Sequence, residues 1–293
     1  MRFCSLASSS KAGSAYLVEG GDGTRLLVDC GLGIRKLEAR LWQTGVGPAS
    51  LAGVLATHGH ADHVAALRLR HPFTAKHRVP LYATGHLIHT LTYEDPQAPY
   101  SPRHCRLLGE THPVRAGRPF KVGGLEVTAF RKPHDAPDPL GFLITDGEAQ
   151  IAVLTDLGTV YGETVRLLRG STFLVFESNH DVEMELRSGR PGHLIRRVLG
   201  NQGHLSNEQA GKALAGIVGP ATKMVLLAHL SDECNTPELA YGTVVRHLDQ
   251  AGYGGGLGVA PLFGRSCAFT EEHAPRLPIE ATAGLAGDIF LAR

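Results

Sequence analysis

The chain has 293 residues and a formal net charge of +1 at pH 7, so its composition does not indicate a nucleic-acid-binding protein. No run approaches the roughly 18 apolar residues of a membrane-spanning helix, and no membrane association is expected. The five cysteines are widely spaced without a C-x-x-C pair, which argues against a disulfide framework and a thiolate zinc site and predicts a cytoplasmic location.

In chain order, apolar runs bounded by turn residues predict short strands, and amphipathic runs predict the helices between them. The first ten residues form a predicted strand and a polar turn. Further strands are predicted at 16–19, 25–30, 51–57, 79–83, 125–130, 141–145, 151–154, 173–176 and 224–228. Helices are predicted at 36–43, 62–69, 86–91, 160–168, 193–199, 206–218 and 237–250.

Strands cluster in each half of the chain and helices follow them. This order predicts an α/β fold in which two packed sheets lie between outer helices, a four-layer αββα sandwich. No repeat or low-complexity linker separates two parts, so residues 1–293 are interpreted as one domain. Residues 92–118, rich in Pro, His and Arg, are interpreted as a possible inserted loop region, and residues 262–293 as a C-terminal extension.

Sixteen histidines are the unusual feature of the composition, because His is the commonest metal ligand and a frequent acid or base. Basic residues also cluster locally, which permits a polyanionic substrate without demonstrating one. The clusters are Arg35, Lys36 and Arg40; Arg68, Arg70, Lys76 and Arg78; and Arg187, Arg190, Arg196 and Arg197.

The densest histidine cluster directly follows the predicted strand at 51–57. Side chains at positions i and i+2 of extended backbone point to the same side, so His58 and His60 can bind one cation. Asp62 and His63 come next, where a helix is predicted to begin, and can bind a second cation nearby. Imidazole and carboxylate ligands together suit Zn²⁺, Mn²⁺ or Fe²⁺ rather than Ca²⁺ or Mg²⁺.

The H-x-H-x-D-H pattern of these residues resembles the signature of the metallo-β-lactamase superfamily, which has an αββα fold. Three later residues at predicted strand ends match its further motifs. The resemblance implies that His134 completes the first metal site, that His229 completes the second, and that Asp156 bridges the two. A cofactor of two divalent cations, Zn²⁺ and/or Mn²⁺, is therefore expected. For His134, the nearby His104 and His112 remain competitors.

Within that superfamily, the chain resembles the YycJ (WalJ) group of single-domain nucleases, relatives of ribonucleases J and Z. The most discriminating strings are Asn179-His180-Asp181-Val182-Glu183-Met184 and Gly203-His204-Leu205-Ser206-Asn207. The resemblance covers most of the chain and implies a metal-dependent 5′-to-3′ exonuclease on DNA, linked to mismatch repair. Single or double strands, RNA as an alternative partner, and the oligomeric state stay open.

The expected chemistry is attack on phosphorus by a water activated between the two cations, with Asp62 also orienting it. For the leaving oxygen, the resemblance implies a Glu177–His204 pair as proton donor, and His180 is the rival. Asn179, Ser206 and Asn235 are candidates for substrate contacts, although Ser206 with Gln209 also fits a helix-capping box.

Two alternatives remain from the residues alone. The same dimetal site can hydrolyse a small molecule, as a cyclic phosphodiesterase, lactonase or thioesterase. A scaffold without turnover is the non-enzymatic alternative, and seven intact candidate ligands argue against it. Basic residues beside the metal centre would favour nucleic acid, whereas an apolar acyl pocket would favour an ester.

Overall fold

The computed structural model describes residues 1–93 and 106–261, and the backbone of 269–270. The strands are β1 (Arg2–Ser9), β2 (Gly13–Glu19), β3 (Arg25–Val28), β4 (Gly53–Leu55), β5 (Leu81–Ala83), β6 (Thr111–Pro113), β7 (Phe120–Val122), β8 (Leu125–Arg131), β9 (Leu140–Thr145), β10 (Gln150–Leu154), β11 (Phe173–Glu177), β12 (Met224–Ala228), β13 (Gly256–Val259) and β14 (Phe269–Thr270). The helices are α1 (Ile34–Gln43), α2 (Ala61–Val64), α3 (Phe73–His77), α4 (Gly85–Tyr93), α5 (Gly162–Leu168), α6 (Val182–Leu186), α7 (Gly192–Val198), α8 (Asn207–Ile217) and α9 (Pro237–Gln250), with a 3₁₀ turn at Pro48–Ser50. Within these described residues, no helix is both long enough and apolar enough to cross a membrane.

The described strands form two seven-stranded sheets. The first has the order β14-β1-β2-β3-β4-β5-β6, and the second has the order β13-β12-β11-β10-β9-β8-β7. In each sheet, four neighbouring strands are parallel: β3 to β6 in the first sheet and β10 to β13 in the second. The carboxyl ends of these parallel strands therefore point to one edge of each sheet, where loops can carry a site.

Three apolar clusters hold the layers together. The central one joins the two sheets face to face, with Phe3 of β1 against Phe173 of β11 at a ring separation of 5.2 Å. A second lies between the first sheet and α1–α4, and a third between the second sheet and α5, α8 and α9. Alternating strand residues face the central and outer clusters, as the pleat requires. The predicted four-layer αββα sandwich is confirmed.

Most predicted elements are present, but the helix predicted at 62–69 is shorter than expected. It ends at Val64 because Ala66 N donates to Cys30 O instead of continuing the helix. Gly31 makes this approach possible, since a Cβ there would lie 1.7 Å from Asp62 O. The elements β7, β13, α3 and α6 were not predicted, and each has only three to five residues.

The region interpreted as a possible inserted loop, 92–118, contributes to the sandwich. Thr111–Pro113 forms the edge strand β6 beside β5, and Leu108 is buried against the first sheet. Residues 94–105 of this region lie outside the described residues, as does most of the C-terminal extension 262–293. In that extension, Phe269–Thr270 pairs antiparallel with β1.

Candidate dimetal active site

The candidate metal ligands lie where strands of both sheets end. The loop from His58 to His63 follows β4, His134 follows β8, Asp156 follows β10, and His229 follows β12. Asp156 and His229 have φ angles of +57°, a left-handed conformation that costs a non-glycine residue free energy. The same edge of the two sheets thus brings together residues that are up to 171 positions apart, and strained backbone turns their side chains inward.

The first cluster consists of three imidazoles. His60 Nδ1 lies 3.1 Å from His58 Nε2 and 3.1 Å from His134 Nε2. His58 and His134 are buried, and His60 is the most exposed of the three. Three ring nitrogens converging at this distance form a group of potential ligand atoms that are all within 4.8 Å of one another.

The second cluster combines two imidazoles with two carboxylates. Asp62 Oδ2 lies 3.5 Å from His63 Nε2 and 3.4 Å from His229 Nε2. Asp156 lies between the clusters, because its Oδ2 is 3.2 Å from His63 Nε2 while its Oδ1 is 3.4 Å from His229 Nε2 and 4.0 Å from His134 Nε2. This is the position that the predicted bridging carboxylate requires.

In four of the five histidines, the ring nitrogen that faces away from the clusters has a hydrogen-bond partner. His58 Nδ1 contacts Thr57 Oγ1 at 2.9 Å, and His134 Nδ1 contacts Gly203 O at 3.3 Å. His63 Nδ1 is 2.7 Å from Asp29 Oδ2, and His229 Nδ1 is 2.9 Å from Glu177 Oε1. Such partners fix the ring orientation and the tautomer, which leaves the opposite nitrogen free to bind a metal ion.

The protonation behaviour differs between the two clusters. Burial lowers the pKa of His134 to about 4 and that of His58 well below its ordinary value, so both imidazoles are neutral near pH 7. Burial also opposes protonation of His229, but the carboxylates of Asp156, Asp62 and Glu177 raise its pKa to about 10. Metal binding to the second cluster therefore has to displace protons.

The donor set fits a pair of divalent cations. His63 Nε2 and Asp156 Oδ2 are buried and lie 3.2 Å apart, and neither makes a hydrogen bond of acceptable geometry with any described residue. Buried polar atoms without partners are rare in folded proteins and are accounted for by an ion at this position. Five imidazole nitrogens and two carboxylates also match the preferences of first-row divalent metals.

Glu177 is a fully buried carboxylate at the end of β11. It accepts hydrogen bonds from the backbone nitrogens of Asp156, Leu157 and Leu205 at 3.0–3.1 Å. Its Oε1 also lies 2.9 Å from Nδ1 of both His204 and His229. Burial disfavours its ionisation, yet the imidazoles of His204 and His229 hold its pKa well below the usual range. Glu177 therefore orients His204 and His229 and joins the loop at Asp156–Leu157 to the loop at Leu205.

The two candidate proton donors have different surroundings. The ring of His204 lies 5.3 Å from the rings of both His134 and His229, and its side chain is 14% exposed. The ring of His180 is buried, and neither nitrogen has a hydrogen-bond partner among the described residues. Burial lowers the pKa of His180 to about 4. The ring of His204 thus contacts rings of both clusters, whereas His180 is a buried histidine that interacts electrostatically with Glu177 and His204. Which of the two donates the proton stays a prediction.

The three residues predicted to contact substrate make internal contacts. Asn179 Nδ2 donates to His229 O, and Asn235 Nδ2 donates to the carbonyl oxygens of Ser178 and Asn179. Ser206 forms the expected capping box with Gln209 at the start of α8. All three side chains thus support the loops that carry the site, and their contact with substrate stays a prediction.

Some residues of the site were not predicted. Asp29 is buried at the end of β3 with a φ of +63°, and its position at a strand end was the available signal. Lys132 is buried beside Asp156, and no local pattern indicated this. The competitor His112 lies in β6, where it stacks on Tyr82. The other competitor, His104, lies outside the described residues.

Two arginines of the predicted basic clusters lie at the edge of the first metal cluster. Arg68 Nη2 donates to Gly59 O at 3.0 Å, between His58 and His60. Arg197 forms an ion pair with Asp135, whose Oδ1 is 3.5 Å from His134 Nε2. Both side chains are exposed, so the loops of the first cluster hold their guanidinium groups at the protein surface.

Comparisons with known proteins agree with this geometry. The model of the beta-lactamase superfamily domain matches residues 24–230. Exodeoxyribonuclease YycJ of Bacillus anthracis is 34% identical over 257 residues, which cover 87% of this chain and 92% of that protein. Exodeoxyribonuclease WalJ of Streptococcus pneumoniae is 31% identical over 262 residues, which cover 87% and 91%.

Among solved structures, the metallo-beta-lactamase fold protein YhfI of Bacillus subtilis has a TM-score of 0.64 at 19% identity. The match covers 92% of this chain and 98% of that chain, and at this identity it supports the fold alone. The resemblance inferred from the histidine pattern and the two later strings is confirmed. The chain therefore belongs to the beta-lactamase superfamily of metal-dependent hydrolases and, within it, to the family of the YycJ and WalJ proteins.

Proposed function

We propose that this protein is a dimetal phosphodiesterase that degrades nucleic acid, and specifically a 5′-to-3′ exonuclease on DNA that acts in DNA repair. Two relatives that align over about nine-tenths of their length are named exodeoxyribonucleases, which supports DNA as the substrate. The polarity and the link to mismatch repair rest on the resemblance of the strings at 179–184 and 203–207.

The observation that favours a polyanionic substrate is the position of Arg68 and Arg197. Both arginines lie next to the ligand-bearing loops of the first cluster and are exposed. Arg68 donates to the neutral carbonyl of Gly59, and Arg197 interacts electrostatically with Asp62 in addition to its ion pair with Asp135. Guanidinium groups at this edge are suited to contact phosphates on either side of a scissile bond.

The residues that would hold the cofactor are the seven described above. His58, His60 and His134 would bind one cation, and Asp62, His63 and His229 would bind the other, with Asp156 between them. We propose Zn²⁺ or Mn²⁺ because imidazole and carboxylate ligands suit both. When bound, two such cations supply a nucleophile at neutral pH and stabilise charge on the phosphate oxygens.

The chain's own part in the reaction centres on His204. Its Nδ1 faces Glu177 Oε1, so Nε2 is the nitrogen left to carry the proton that the leaving oxygen needs. The carboxylate of Glu177, 2.9 Å from Nδ1, holds the ring in one orientation. Glu177 acts in this scheme as a positioning residue, since its described contacts are with histidines and backbone nitrogens.

We also propose that the protein acts in the reducing cytoplasm. Cys4, Cys30 and Cys234 are buried and form no disulfide within the described part of the chain. Burial raises the pKa of Cys234 to about 11 and keeps that thiol protonated. Thiols of this kind behave as small apolar side chains and are common where the compartment keeps cysteines reduced.

A digestion panel tests this function. Single- and double-stranded DNA and RNA, labelled at either end, would be incubated with the protein and Mn²⁺, Zn²⁺ or Mg²⁺. The expected result is stepwise release of nucleotides from the 5′ end of DNA, supported by Mn²⁺ or Zn²⁺. Asp62→Ala should abolish this activity, whereas Glu163→Ala, an exposed change on α5, should leave it unchanged.

Three outcomes would contradict the proposal at different levels. Cleavage that survives in Asp62→Ala would refute the assigned site. Preference for RNA, or release from the 3′ end, would refute the substrate or the polarity while leaving a nuclease. Hydrolysis of lactone, thioester or cyclic phosphodiester substrates without cleavage of any nucleic acid would instead support the small-molecule alternative.

A further inference from the structure

Lys132 is a buried cation that the mechanism above does not use. It follows β8 directly and its side chain is 1% exposed. Its ammonium group donates a hydrogen bond to Thr155 O, the carbonyl that precedes Asp156. Lysine is almost never fully buried unless an opposite charge compensates for the loss of hydration. The surroundings of Lys132 should therefore explain why this position carries a charge.

Those surroundings are the carboxylates of the metal site. Lys132 Nζ lies 3.9 Å from Asp156 Oδ2, and Asp29, Glu177 and Asp62 also act on it electrostatically. Burial lowers the pKa of Lys132, and the four carboxylates oppose that effect. Lys132 is thus a buried positive charge among the carboxylates of the site.

The charge balance of the loaded site follows from these groups. Two divalent cations bring four positive charges, which equal the four negative charges of the carboxylates around Lys132. The ligand imidazoles are neutral when they bind metal. Lys132 therefore adds one positive charge to this set of cations and carboxylates, and a phosphodiester carries one negative charge. The ammonium group and the metal ions are also attracted to the same carboxylate, Asp156, and as like charges they repel each other.

We propose that Lys132 positions Asp156 through the Thr155 carbonyl and acts as a permanent countercharge, which weakens metal binding and adds one positive charge to the loaded site for a phosphodiester. The second part rests on the proposed nuclease function, whereas the first part concerns metal binding alone. The competing interpretation is that the lysine merely fills space with its aliphatic stem.

The test replaces the ammonium group and keeps the stem. Lys132→Met would be loaded with Mn²⁺ or Zn²⁺ and then titrated with a competing chelator, so that affinity is measured from the folded, loaded protein. The expected result is metal binding that is tighter by about tenfold or more, because a like charge near the cations is removed. The matched control is Lys223→Met, which should leave the metal affinity unchanged. Lys223 is exposed and directly precedes β12, whereas His229 follows the other end of that strand.

The second variant and the kinetics complete the test. Lys132→Arg keeps the charge and should return metal affinity toward that of the wild type. On DNA, Lys132→Met should raise KM by about tenfold with a smaller change in kcat, since an attraction to the phosphodiester is lost. Metal binding that is unchanged or weaker in Lys132→Met would overturn the countercharge. If the wild type cleaved no nucleic acid, the proposed function would fail while the chelator titration still decided the role of Lys132.

Discussion

Glu177 offers the sharpest test of how the site is held together. Glu177→Gln keeps the size and shape of the side chain but replaces one acceptor oxygen with an NH₂ donor. In the wild type, Oε2 accepts from Leu157 N and Leu205 N, while Oε1 accepts from Asp156 N and contacts two histidines. Whichever way the amide turns, its NH₂ group faces backbone N–H groups that cannot become acceptors.

The magnitude follows from the number of hydrogen bonds that are lost. With the NH₂ group on the Oε2 side, the Leu157 and Leu205 bonds are lost; on the Oε1 side, the Asp156 bond and the imidazole contacts are disturbed. Each hydrogen bond to a charged group contributes about 1.5–3 kcal/mol, so two lost bonds correspond to about 3–6 kcal/mol. This is a large part of the roughly 5–15 kcal/mol that stabilises a typical domain.

The assay is denaturant unfolding of the metal-free protein, compared with Glu163→Gln on the exposed face of α5. The midpoint should fall strongly for Glu177→Gln and stay unchanged for the control. Metal affinity should fall as well, because His229 loses the acceptor that fixes its tautomer. A loss of less than about 1 kcal/mol in unfolding free energy would refute the view that Glu177 joins the loops of the site.

Three further predictions concern protonation, the rival proton donor and the substrate edge. Because the pKa of His229 is raised to about 10, its protonation stabilises the metal-free protein fully below about pH 6.5, and this stabilisation is lost as the pH rises toward 10. The metal-free protein is therefore less stable at pH 9. In scanning calorimetry, removal of the metal with a chelator should lower Tm more at pH 9 than at pH 6.5. The pKa of His180 is lowered to about 4, so the free energy of unfolding should fall by about 3 kcal/mol as the pH falls from 6.5 to 4. His180→Leu should remove most of this pH dependence and keep nuclease activity. A folded but inactive His180→Leu variant would instead support His180 as the proton donor. Arg68→Gln and Arg197→Gln should each reduce the slope of log affinity for DNA against log salt by about 1, and an equal effect of Arg166→Gln on α5 would count against specific phosphate contacts.

Local pattern in the sequence predicted the layers and the first four candidate metal ligands, and the resemblance to the metallo-β-lactamase superfamily supplied the other three. Short apolar runs with turn residues at their ends identified most strands, and the i, i+2 spacing of His58 and His60 placed two imidazoles on one side of the chain. His134, Asp156 and His229 each followed a predicted strand. Asp156 and His229 lie at the carboxyl ends of the parallel strands β10 and β12, whereas His134 follows the antiparallel strand β8. The short elements β7, β13, α3 and α6 escaped because three to five residues carry too little periodicity.

What supports those ligands was decided by tertiary structure. Asn179 and Asn235 were predicted to contact substrate, yet their amides bind backbone carbonyls of neighbouring loops, a choice that depends on which loops meet. The sequence showed Glu177 as one acidic residue at a strand end, whereas the fold makes it the shared acceptor of three backbone nitrogens and two histidines.

Lys132 shows the same limit most clearly. In the sequence it is an ordinary lysine before Pro133, and only the packing of two sheet edges buries it among four carboxylates. The sequence by itself thus determined the αββα fold and predicted the residues of a dimetal site. The tertiary structure decided the orientation and charge balance of that site, because those properties come from contacts between residues that are distant along the chain.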